Sequence, residues 1–531
     1  MSALPLPRGL LARCAVNFPD KIAYWCGEEA RSWAQMHERA MRLASALIGL
    51  GVRKGDSVAI LSGESIRIYE HFFACMQMGA VRLGLNIHYT AEEIVHVLTE
   101  SSVRVLLVES GKLPLAPKVQ EFIKAGNILV VGCGAGHGLA TDFEAIIATA
   151  PARAHWPDIA LGDPLLCTYT SGTTGQPKGV LHHHEGVAQM IFQSLVSRGL
   201  GPDDVWCTAA ASSWMTVVLN VLGLGNGMGH VVMDGEFAMV SFLRDMERRR
   251  VSTVMLVPTL IRRAIDEVRK GGYDLSALRL LMYGSAPAEP QLIRNAFTTF
   301  GCEMVQSYGM TEAGWLTQLS AADHRFALAH QPGLLRSVGR PGVLCEVSVR
   351  DEHGQPLPTA TLGNVWVRGP MMMLGYVNRA QESAEALRDD WLVTHDVGRL
   401  DERGYLFLTD RRKFLIISGG VNIFPSGIEA VLADHVDIEA AAVVGVPHPD
   451  WGEAVVAVIK LRDARTRPST LALQEFCMGR LKREERPKHF FFVDVLPRSS
   501  TGKLQKNNIR EWVLARAADL PWNADGFGAS R

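Results

Sequence analysis

Short apolar runs alternate with amphipathic segments of helical length between His230 and Tyr308, and this alternation constrains the fold more than any other feature. Strands separated by helices are joined by crossover connections, which predicts a mostly parallel sheet. Ligands bind at loops on the carboxyl ends of such strands. The predicted strands are His230–Met233, Thr253–Val257, Leu278–Tyr283 and Glu303–Gln306, and the predicted helices are Ala238–Arg250, Thr259–Lys270 and Glu289–Phe300.

The rest of the chain has regions of different texture. Towards the N-terminus the pattern predicts a helix at Ala34–Leu50 and a strand at Ser57–Leu61. From Ser337 to Tyr405, short β-like runs divided by Gly, Pro, Asp and Asn indicate a small antiparallel sheet or barrel. The tail after Asp410 mixes helix and strand and is long enough to be a domain. We therefore expect an α/β fold with a large N-terminal domain of mixed and parallel sheets flanked by helices, a small β-barrel-like subdomain, and a small α+β C-terminal domain. The predicted elements of the tail are Ile428–Ala433, Ala440–Val446, Ala454–Leu461, Leu471–Lys482, Phe490–Val495 and Asn508–Ala515.

The composition excludes several classes of protein. Lys and Arg number 54 against 55 Asp and Glu, so no basic excess points to nucleic acid or to an anionic membrane. The nine cysteines are scattered without a C-x-x-C pair, which favours buried thiols in a reducing compartment. We find no signal-peptide core and no stretch approaching the ~20 apolar residues that span a bilayer. We expect a cytoplasmic protein, and a homodimer is compatible with the sequence.

The segment from Tyr169 to Val180 is polar and glycine-rich, and it follows an apolar run, Pro164–Cys167, that is typical of a short buried strand. Glycines let the main chain approach a ligand and present N–H groups to it, while hydroxyls and an ammonium group bind phosphate oxygens. Pro177 stands where the Walker motif has glycine, so this is a different phosphate loop. The candidate phosphate-binding residues are Thr170, Ser171, Gly172, Thr173, Thr174, Gly175 and Lys178.

This segment resembles the phosphate-binding signature of the adenylate-forming superfamily, which includes acyl-CoA synthetases, firefly-luciferase-like enzymes and nonribosomal-peptide adenylation domains. The resemblance covers about Leu11 to Ile509. It implies an N-terminal adenylation domain (residues 1–409), a mobile C-terminal domain (residues 410–531) and an active site between them. It also implies ATP, Mg²⁺ and coenzyme A as cofactors, with a carboxylic acid joined to AMP and the acyl group then passed to CoA. Thr174 is implied to be catalytic.

Tyr308-Gly309-Met310-Thr311-Glu312 resembles the second signature of the superfamily. The resemblance implies that Tyr308 packs on adenine, Thr311 contacts the α-phosphate and Glu312 holds Mg²⁺. A carboxylate is the hard oxygen donor that Mg²⁺ prefers. The turn Gly284-Ser285-Ala286-Pro287 is similar to a family element whose backbone approaches adenine.

Two further elements are implied by the resemblance. Asp396 matches the family aspartate that accepts hydrogen bonds from the ribose hydroxyls, although His395 replaces the glycine that usually precedes it. Asp410 matches the hinge between the two domains, and Arg411 is implied to reach the ribose or phosphate.

The last two signatures lie in the tail. Ser418, Gly419 and Gly420 resemble the loop that lines the pantetheine tunnel of acyl-CoA synthetases. Lys503, in Pro497–Leu504, matches the catalytic lysine that contacts the carboxylate and the α-phosphate. Lys506 stands where the family often has arginine.

The segment Ser212–Gly229 indicates which class of carboxylic acid is the substrate, because the resemblance places this segment beside the acyl pocket. Trp214, Val218 and Gly309 are the predicted pocket residues. Amino-acid-activating relatives have an aspartate in this stretch, and Ser212–Asn220 has none. Relatives specific for acetate have tryptophan where this chain has Gly309. We expect a medium- or long-chain fatty acid or an aryl or alicyclic acid.

Three alternatives to an acyl-CoA synthetase remain open at this point: an enzyme that loads a carrier-protein pantetheine, a luciferase-like oxygenase, and a nucleotide-binding pseudoenzyme. Matching residues at Thr174, Glu312, Asp396, Arg411 and Lys503 disfavour the last. A metal site at His182–Glu185 is disfavoured because the cluster lacks H-E-x-x-H spacing.

Overall fold

The computed structural model describes residues 7–151, 156–171, 177–235, 237–411, 414–419, 421–498 and 504–522. The chain forms two compact units, one of Met1–Val347 with Trp366–Val393 and one of Ser348–Val365 with Thr394–Arg531. In the described ranges, no helix combines the length and the apolar character that a membrane crossing requires.

The strands have the following bounds in chain order: β1 (Ile22–Cys26), β2 (Glu29–Ser32), β3 (Ser57–Leu61), β4 (Val81–Gly84), β5 (Val103–Glu109), β6 (Leu129–Cys133), β7 (Pro164–Ser171), β8 (Pro177–His183), β9 (Val205–Thr208), β10 (Gly229–Val232), β11 (Thr253–Leu256), β12 (Leu280–Gly284), β13 (Glu303–Met310), β14 (Gly314–Leu319), β15 (Arg340–Pro341), β16 (Glu346–Arg350), β17 (Gly363–Arg368), β18 (Gly375–Tyr376), β19 (Leu387–Arg388), β20 (Trp391–Leu400), β21 (Leu406–Arg411), β22 (Ile416–Ser418), β23 (Val421–Ile423), β24 (Ile438–His448), β25 (Gly452–Leu461) and β26 (His489–Phe492).

The α-helices have these bounds: α1 (Pro7–Asn17), α2 (Trp33–Gly49), α3 (Ile66–Met78), α4 (Ala91–Glu100), α5 (Pro117–Ala125), α6 (Phe143–Thr149), α7 (His184–Arg198), α8 (Gly223–Asn226), α9 (Met239–Arg248), α10 (Pro258–Val268), α11 (Pro290–Phe300), α12 (Ala321–Ala329), α13 (Ala380–Ala386), α14 (Pro425–Ala433), α15 (Thr470–Cys477) and α16 (Lys506–Leu514).

Two large mixed sheets form the first unit. One has the order β15-β14-β13-β12-β11-β9-β10-β1-β2, and its central strands from β13 to β1 are parallel. The other has the order β18-β8-β7-β4-β3-β5-β6. Helices pack on these sheets through a common core that includes Trp33, Phe72, Phe73 and Trp206, all fully buried. The loops that follow the carboxyl ends of these parallel strands are the ones expected to be functional.

The second unit has a sheet that is covered on both faces. Its order is β23-β22-β25-β24, with β26 on β25. Alternate residues of β24 enter two different cores: Val443 packs with α14 and α15, while Val444 packs with α16. This alternation is the two-residue period of a strand. A smaller sheet with the order β16-β17-β20-β19, extended by β21, forms the barrel-like element.

The α/β fold class predicted from the sequence is confirmed, and most predicted elements are present within one to three residues of their expected bounds. Ser57–Leu61 is a strand as predicted. The predicted element Leu471–Lys482 is too long, because its helix ends at Cys477. The division of the chain at Asp410 stays a prediction.

Candidate active site

The glycine-rich segment connects β7 and β8, which pair as an antiparallel hairpin with Thr170 opposite Lys178. β7 continues to Ser171, four residues beyond the predicted strand, and lies between β4 and β8 in its sheet. The buried Tyr169 hydroxyl lies 2.8 Å from Ser101 Oγ, which anchors the strand just before the loop. Outside the described residues are Gly172, Thr173, Thr174 and Gly175, together with the side chain of Ser171.

Lys178 on β8 is held by neighbouring side chains. Its ammonium group forms an ion pair with Glu382 and lies 5.3 Å from the ring centre of Tyr376. Glu382 also accepts a 3.1 Å hydrogen bond from Arg379. The hydrogen bond from Lys178 lowers the pKa of the Glu382 carboxyl, so this carboxyl group is charged at neutral pH.

Glu312 lies in the turn between β13 and β14, and three contacts fix this turn. The Tyr376 hydroxyl donates to Glu312 Oε1 at 3.0 Å, and the Met373 amide donates to the Glu312 carbonyl at 2.7 Å. The ring of His182 lies with Nε2 at 2.7 Å from the Thr311 carbonyl oxygen. Tyr376 lies on β18, which pairs with β8 beside the hairpin. The structure therefore joins the β7–β8 hairpin to the turn that contains Thr311 and Glu312, which we call the acidic turn.

The two histidines at the end of β8 make structural contacts. Burial lowers the pKa of His182 to about 4, so its ring is neutral and Nε2 carries the proton that a carbonyl accepts. His183 Nδ1 accepts from the Gly186 amide and caps α7. In the part of the chain that the structure describes, no group of three or more His, Cys, Asp or Glu side chains is arranged to hold a metal ion.

The Gly284 turn and the Tyr308 segment lie side by side at the carboxyl edge of the parallel sheet, since Gly284 pairs with Ser307. The predicted strand Glu303–Gln306 is too short: β13 runs to Met310, because it also pairs with β14 there. Ser285 has φ 64°, a left-handed conformation that is costly for an L-residue and typical of functional turns. Ala286 and Pro287 continue this turn towards α11.

Gly309 is constrained by the neighbouring strand. A Cβ atom at this position would lie 2.1 Å from the Gly314 carbonyl oxygen and 3.1 Å from Trp315 Cα. Glycine is therefore required here by the close approach of two backbones, whatever the size of the acid.

The predicted acyl-pocket segment is half-buried at Trp214 and fully buried at Val218, which lies in the hydrophobic core. Its start is fixed by a polar network that sequence reasoning missed. Glu64 Oε1 accepts from the Ser212 amide at 2.6 Å, and Tyr69 and Ser212 hydroxyls lie 2.8 Å apart. The network includes Asn220 Nδ2, which donates to the Tyr69 hydroxyl at 2.9 Å.

In the second unit, Asp396 on β20 is opposite Arg411 on β21. Asp396 is buried, and its amide donates to Thr394 Oγ1 at 3.1 Å. His395 has φ 60°, the left-handed conformation that glycine adopts without strain. This explains why the family usually has glycine at that position. The side chains of Asp410 and Arg411 lie outside the described residues.

The remaining predicted residues are partly described. Ser418 ends β22 opposite Val421, and the Gly419 amide donates to the Trp451 carbonyl at 2.8 Å. Lys506 forms a 2.9 Å ion pair with Glu429, so the lysine has a structural partner. Gly420 and Lys503 lie outside the described residues.

Sequence reasoning missed Tyr376 and Glu382, and it did not connect His182 with Thr311. The Tyr376–Glu312 and Lys178–Glu382 contacts span 64 and 204 residues. Neither contact leaves a local pattern, so only the fold identifies them.

Comparison with known proteins gives a consistent result. The AMP-binding enzyme family matches residues 11–377, and the family of the AMP-binding enzyme C-terminal domain matches residues 427–503. Feruloyl-CoA synthase of Amycolatopsis sp is 34% identical over 498 residues, covering 93% of this chain and 96% of that protein. Fatty acid–acyl-carrier-protein ligase ScoC of Streptomyces coeruleorubidus is 32% identical over 508 residues, covering 94% of each. The structure of ATP-bound MatB from Rhodopseudomonas palustris superimposes with a TM-score of 0.85 at 28% identity, covering 95% of this chain and 98% of that one.

The chain therefore belongs to the AMP-binding enzyme family, the adenylate-forming enzymes. It is an acid–thiol ligase, an ATP-dependent acyl-CoA synthetase that works through an acyl-AMP.

Proposed function

We propose that the junction of the β7–β8 hairpin with the Thr311–Glu312 turn holds the triphosphate of ATP while a carboxylic acid is adenylated. This assignment rests on the way the acidic turn is held against β8, the strand that bears Lys178. His182 lies 2.7 Å from the Thr311 carbonyl oxygen, and the Tyr376 hydroxyl lies 3.0 Å from the Glu312 carboxylate. A cation, hydroxyls and a carboxylate at one place are the groups that phosphate and its metal require.

The phosphates are assigned to Thr170, Ser171, the loop residues Gly172–Gly175, and Lys178. On ATP binding, phosphate oxygens replace Glu382 as the partner of Lys178. Glu312 suits Mg²⁺ because it is a hard oxygen donor whose carboxylate is oriented by the Tyr376 hydroxyl. Bound Mg²⁺ would neutralise charge on the phosphates.

The nucleoside is assigned to two elements. Tyr308 and the turn Gly284–Pro287, adjacent at the sheet edge, receive the adenine. Asp396 accepts hydrogen bonds from the ribose hydroxyls, with Arg411 opposite it in register.

The chemistry consists of two displacements. A carboxylate oxygen forms a bond to the α-phosphorus of ATP, and the bond to the β-phosphate oxygen breaks to release pyrophosphate. The thiol sulfur of CoA then bonds to the acyl carbon, the thiol proton is lost, and the carbon–oxygen bond to AMP breaks. Lys503 stabilises the charge shared by the carboxylate and the α-phosphate in the first step.

The second displacement is assigned to CoA as acceptor, with Ser418–Gly420 lining its path and Asp410 as the hinge of the domain 410–531. The name of the ScoC relative supports a carrier protein as the alternative acceptor. Thioester formation with CoA alone, measured with added acyl-AMP, is the expected result. Activity only with a pantetheinylated carrier protein would contradict it.

We propose that the substrate is an aryl or alicyclic acid or a medium- to long-chain fatty acid. We also propose that the enzyme acts in the cytoplasm. The absence of an aspartate from Ser212–Asn220 and the acids named in the feruloyl and fatty-acid relatives support this class. The nine cysteines are all free thiols, which suits a reducing compartment. A homodimer stays a prediction.

The test is acid-dependent exchange of labelled pyrophosphate into ATP, without CoA, over a panel of carboxylic acids. We expect exchange with aryl or longer aliphatic acids and little with acetate or free amino acids. Maximal exchange with acetate or an amino acid would overturn the acid class, and no exchange with any acid would overturn the adenylation proposal.

A further inference from the structure

The ion pair of Lys178 with Glu382 joins two side chains that each have a second partner. The Lys178 ammonium group also lies 5.3 Å from the centre of the Tyr376 ring, a distance at which a cation is attracted to an aromatic face. Glu382 binds Lys178 through Oε2, while its Oε1 accepts from Arg379 Nη1 at 3.1 Å. The Lys178 side chain is 14% exposed, so opening the pair would be costly if the lysine had no other contact. Because both partners keep a contact, the pair can open without leaving a buried charge alone.

Arg379 is placed to hold the Glu382 carboxylate when the pair opens. Its Nε donates to Glu100 Oε1 at 3.0 Å, which fixes the guanidinium group from the side of α4. The planar guanidinium presents its donors in fixed directions, so Nη1 remains directed at Glu382 while Nε is bound to Glu100. A carboxylate released by Lys178 therefore still has a cation within hydrogen-bond distance.

The helix that bears Glu382 is attached to the strand that bears Tyr376. The Tyr376 amide donates to Ser383 Oγ at 2.8 Å, and the same hydroxyl donates to the Arg379 carbonyl at 2.7 Å. That strand, β18, pairs with β8, on which Lys178 lies. The backbones of α13, β18 and β8 therefore hold the charged groups in place, and rotation of side chains is enough to open the pair.

Phosphate oxygens and the Glu382 carboxylate compete for one ammonium group. A phosphate bound to Lys178 would lie close to the carboxylate, and two anions at such a distance repel each other. Each molecule of ATP or pyrophosphate that binds Lys178 must therefore displace Glu382. By the same balance, the carboxylate lowers the affinity of Lys178 for phosphate and returns to the lysine when the phosphate leaves.

We propose that Glu382 is a positioning residue that promotes the release of pyrophosphate: its carboxylate turns to Arg379 when ATP binds and returns to Lys178 as the product leaves. This inference rests on the proposed adenylation function, because it requires Lys178 to bind phosphate. Loss of the Glu382 charge should then tighten the binding of pyrophosphate. Loss of Arg379 should weaken it, because the displaced carboxylate no longer has a cation to receive it.

Titration calorimetry of the full chain with magnesium pyrophosphate measures this competition. Glu382→Gln should lower the Kd by about three- to tenfold, the scale of a partly exposed charge pair with a charged hydrogen bond, and Arg379→Gln should raise it. In turnover, Glu382→Gln should strengthen inhibition by added pyrophosphate by the same factor and leave KM for the acid unchanged. A residue that only supports the fold would not give tighter binding when it is replaced. The Glu382→Gln result is decisive by itself if the arginine variant does not fold.

The matched control is Glu385→Gln, which removes the same charge from the same helix. Glu385 is exposed and accepts from Gln381 Nε2 at 3.0 Å, so its replacement should leave pyrophosphate binding unchanged. Lys178→Gln should weaken that binding. If it does, but Glu382→Gln binds pyrophosphate no more tightly than Glu385→Gln, the role of Glu382 is overturned and adenylation stands. If Lys178→Gln binds pyrophosphate as well as the wild type, the phosphate assignment is overturned and this inference with it.

Discussion

The Tyr376 hydroxyl and the His182 ring fix the position of the acidic turn relative to the β7–β8 hairpin. Both are positioning residues, since each contacts the turn and has no assigned contact with a reacting atom. The Tyr376 hydroxyl orients one oxygen of the Glu312 carboxylate, and the buried His182 holds the preceding carbonyl. The metal-binding role of Glu312 therefore depends on a phenol that is 64 residues away in sequence.

Tyr376→Phe should raise the Mg²⁺ concentration that gives half-maximal pyrophosphate release by about tenfold, because a hydrogen bond to a carboxylate contributes roughly 1.5 kcal/mol or more. The fold should be unaffected. Tyr273→Phe is the control, since that hydroxyl donates to Glu267 at 3.0 Å outside the site. An unchanged Mg²⁺ dependence in Tyr376→Phe would show that Glu312 is not oriented in this way.

Gly309→Ala should lower the free energy of unfolding by about 2–3 kcal/mol, because the new Cβ meets the backbone of β14. Urea unfolding measures the effect. Gly49→Ala is the control: this glycine is the last residue of α2, and a Cβ added there would meet no atom within 4 Å, so the change should be neutral or slightly stabilising. Equal stability of the two variants would contradict the argument.

At the scale of elements, the sequence predicts the helices and the buried strands well, because apolar periodicity reflects burial on one or both faces. It does not predict β8, whose residues Pro177–His183 include proline, lysine, glycine and two histidines. That strand forms through pairing with β7, and the ion pairs and hydrogen bonds of the site follow from it. Motif spacing predicts Thr170, Lys178 and Glu312 as site residues, whereas the contacts of Tyr376 and Glu382 require the assembled sheets.

Five buried histidines of the first unit make its stability depend on pH. Burial lowers the pKa of His71 and His230 to about 3 and of His182, His184 and His324 to about 4. Between about pH 6.5 and pH 4 the unfolded chain binds protons that the folded unit excludes, so stability falls as pH falls, by up to about 1.4 kcal/mol per pH unit for each ring.

The urea midpoint should therefore decrease steadily from about pH 7 to about pH 5, with proton uptake on unfolding. His353→Asn is the control, because that side chain is exposed and its replacement should leave the slope unchanged. A midpoint that is flat across this range would contradict the neutral state of the buried rings.

At the scale of the whole molecule, the two half-reactions are separate, and we propose that Lys503 acts in the first. Lys503→Ala should slow acid-dependent pyrophosphate release by ~10²–10³-fold, the effect of losing one preorganised donor. Thioester formation from added acyl-AMP should be nearly normal. Lys460→Ala is the control, since Lys460 pairs with Glu439 at the surface. Equal losses in both half-reactions would show that the assignment of Lys503 is wrong.

In the proposed order of steps, the acid is joined to AMP before the acyl group reaches the thiol. An acid labelled with heavy oxygen in its carboxylate tests this most directly, because the oxygen that bonds to the α-phosphorus leaves with AMP when sulfur attacks the acyl carbon. Mass spectrometry of a complete turnover with ATP and CoA should find one labelled oxygen in AMP and none in pyrophosphate. Labelled orthophosphate with ADP, or AMP without label, would contradict the account.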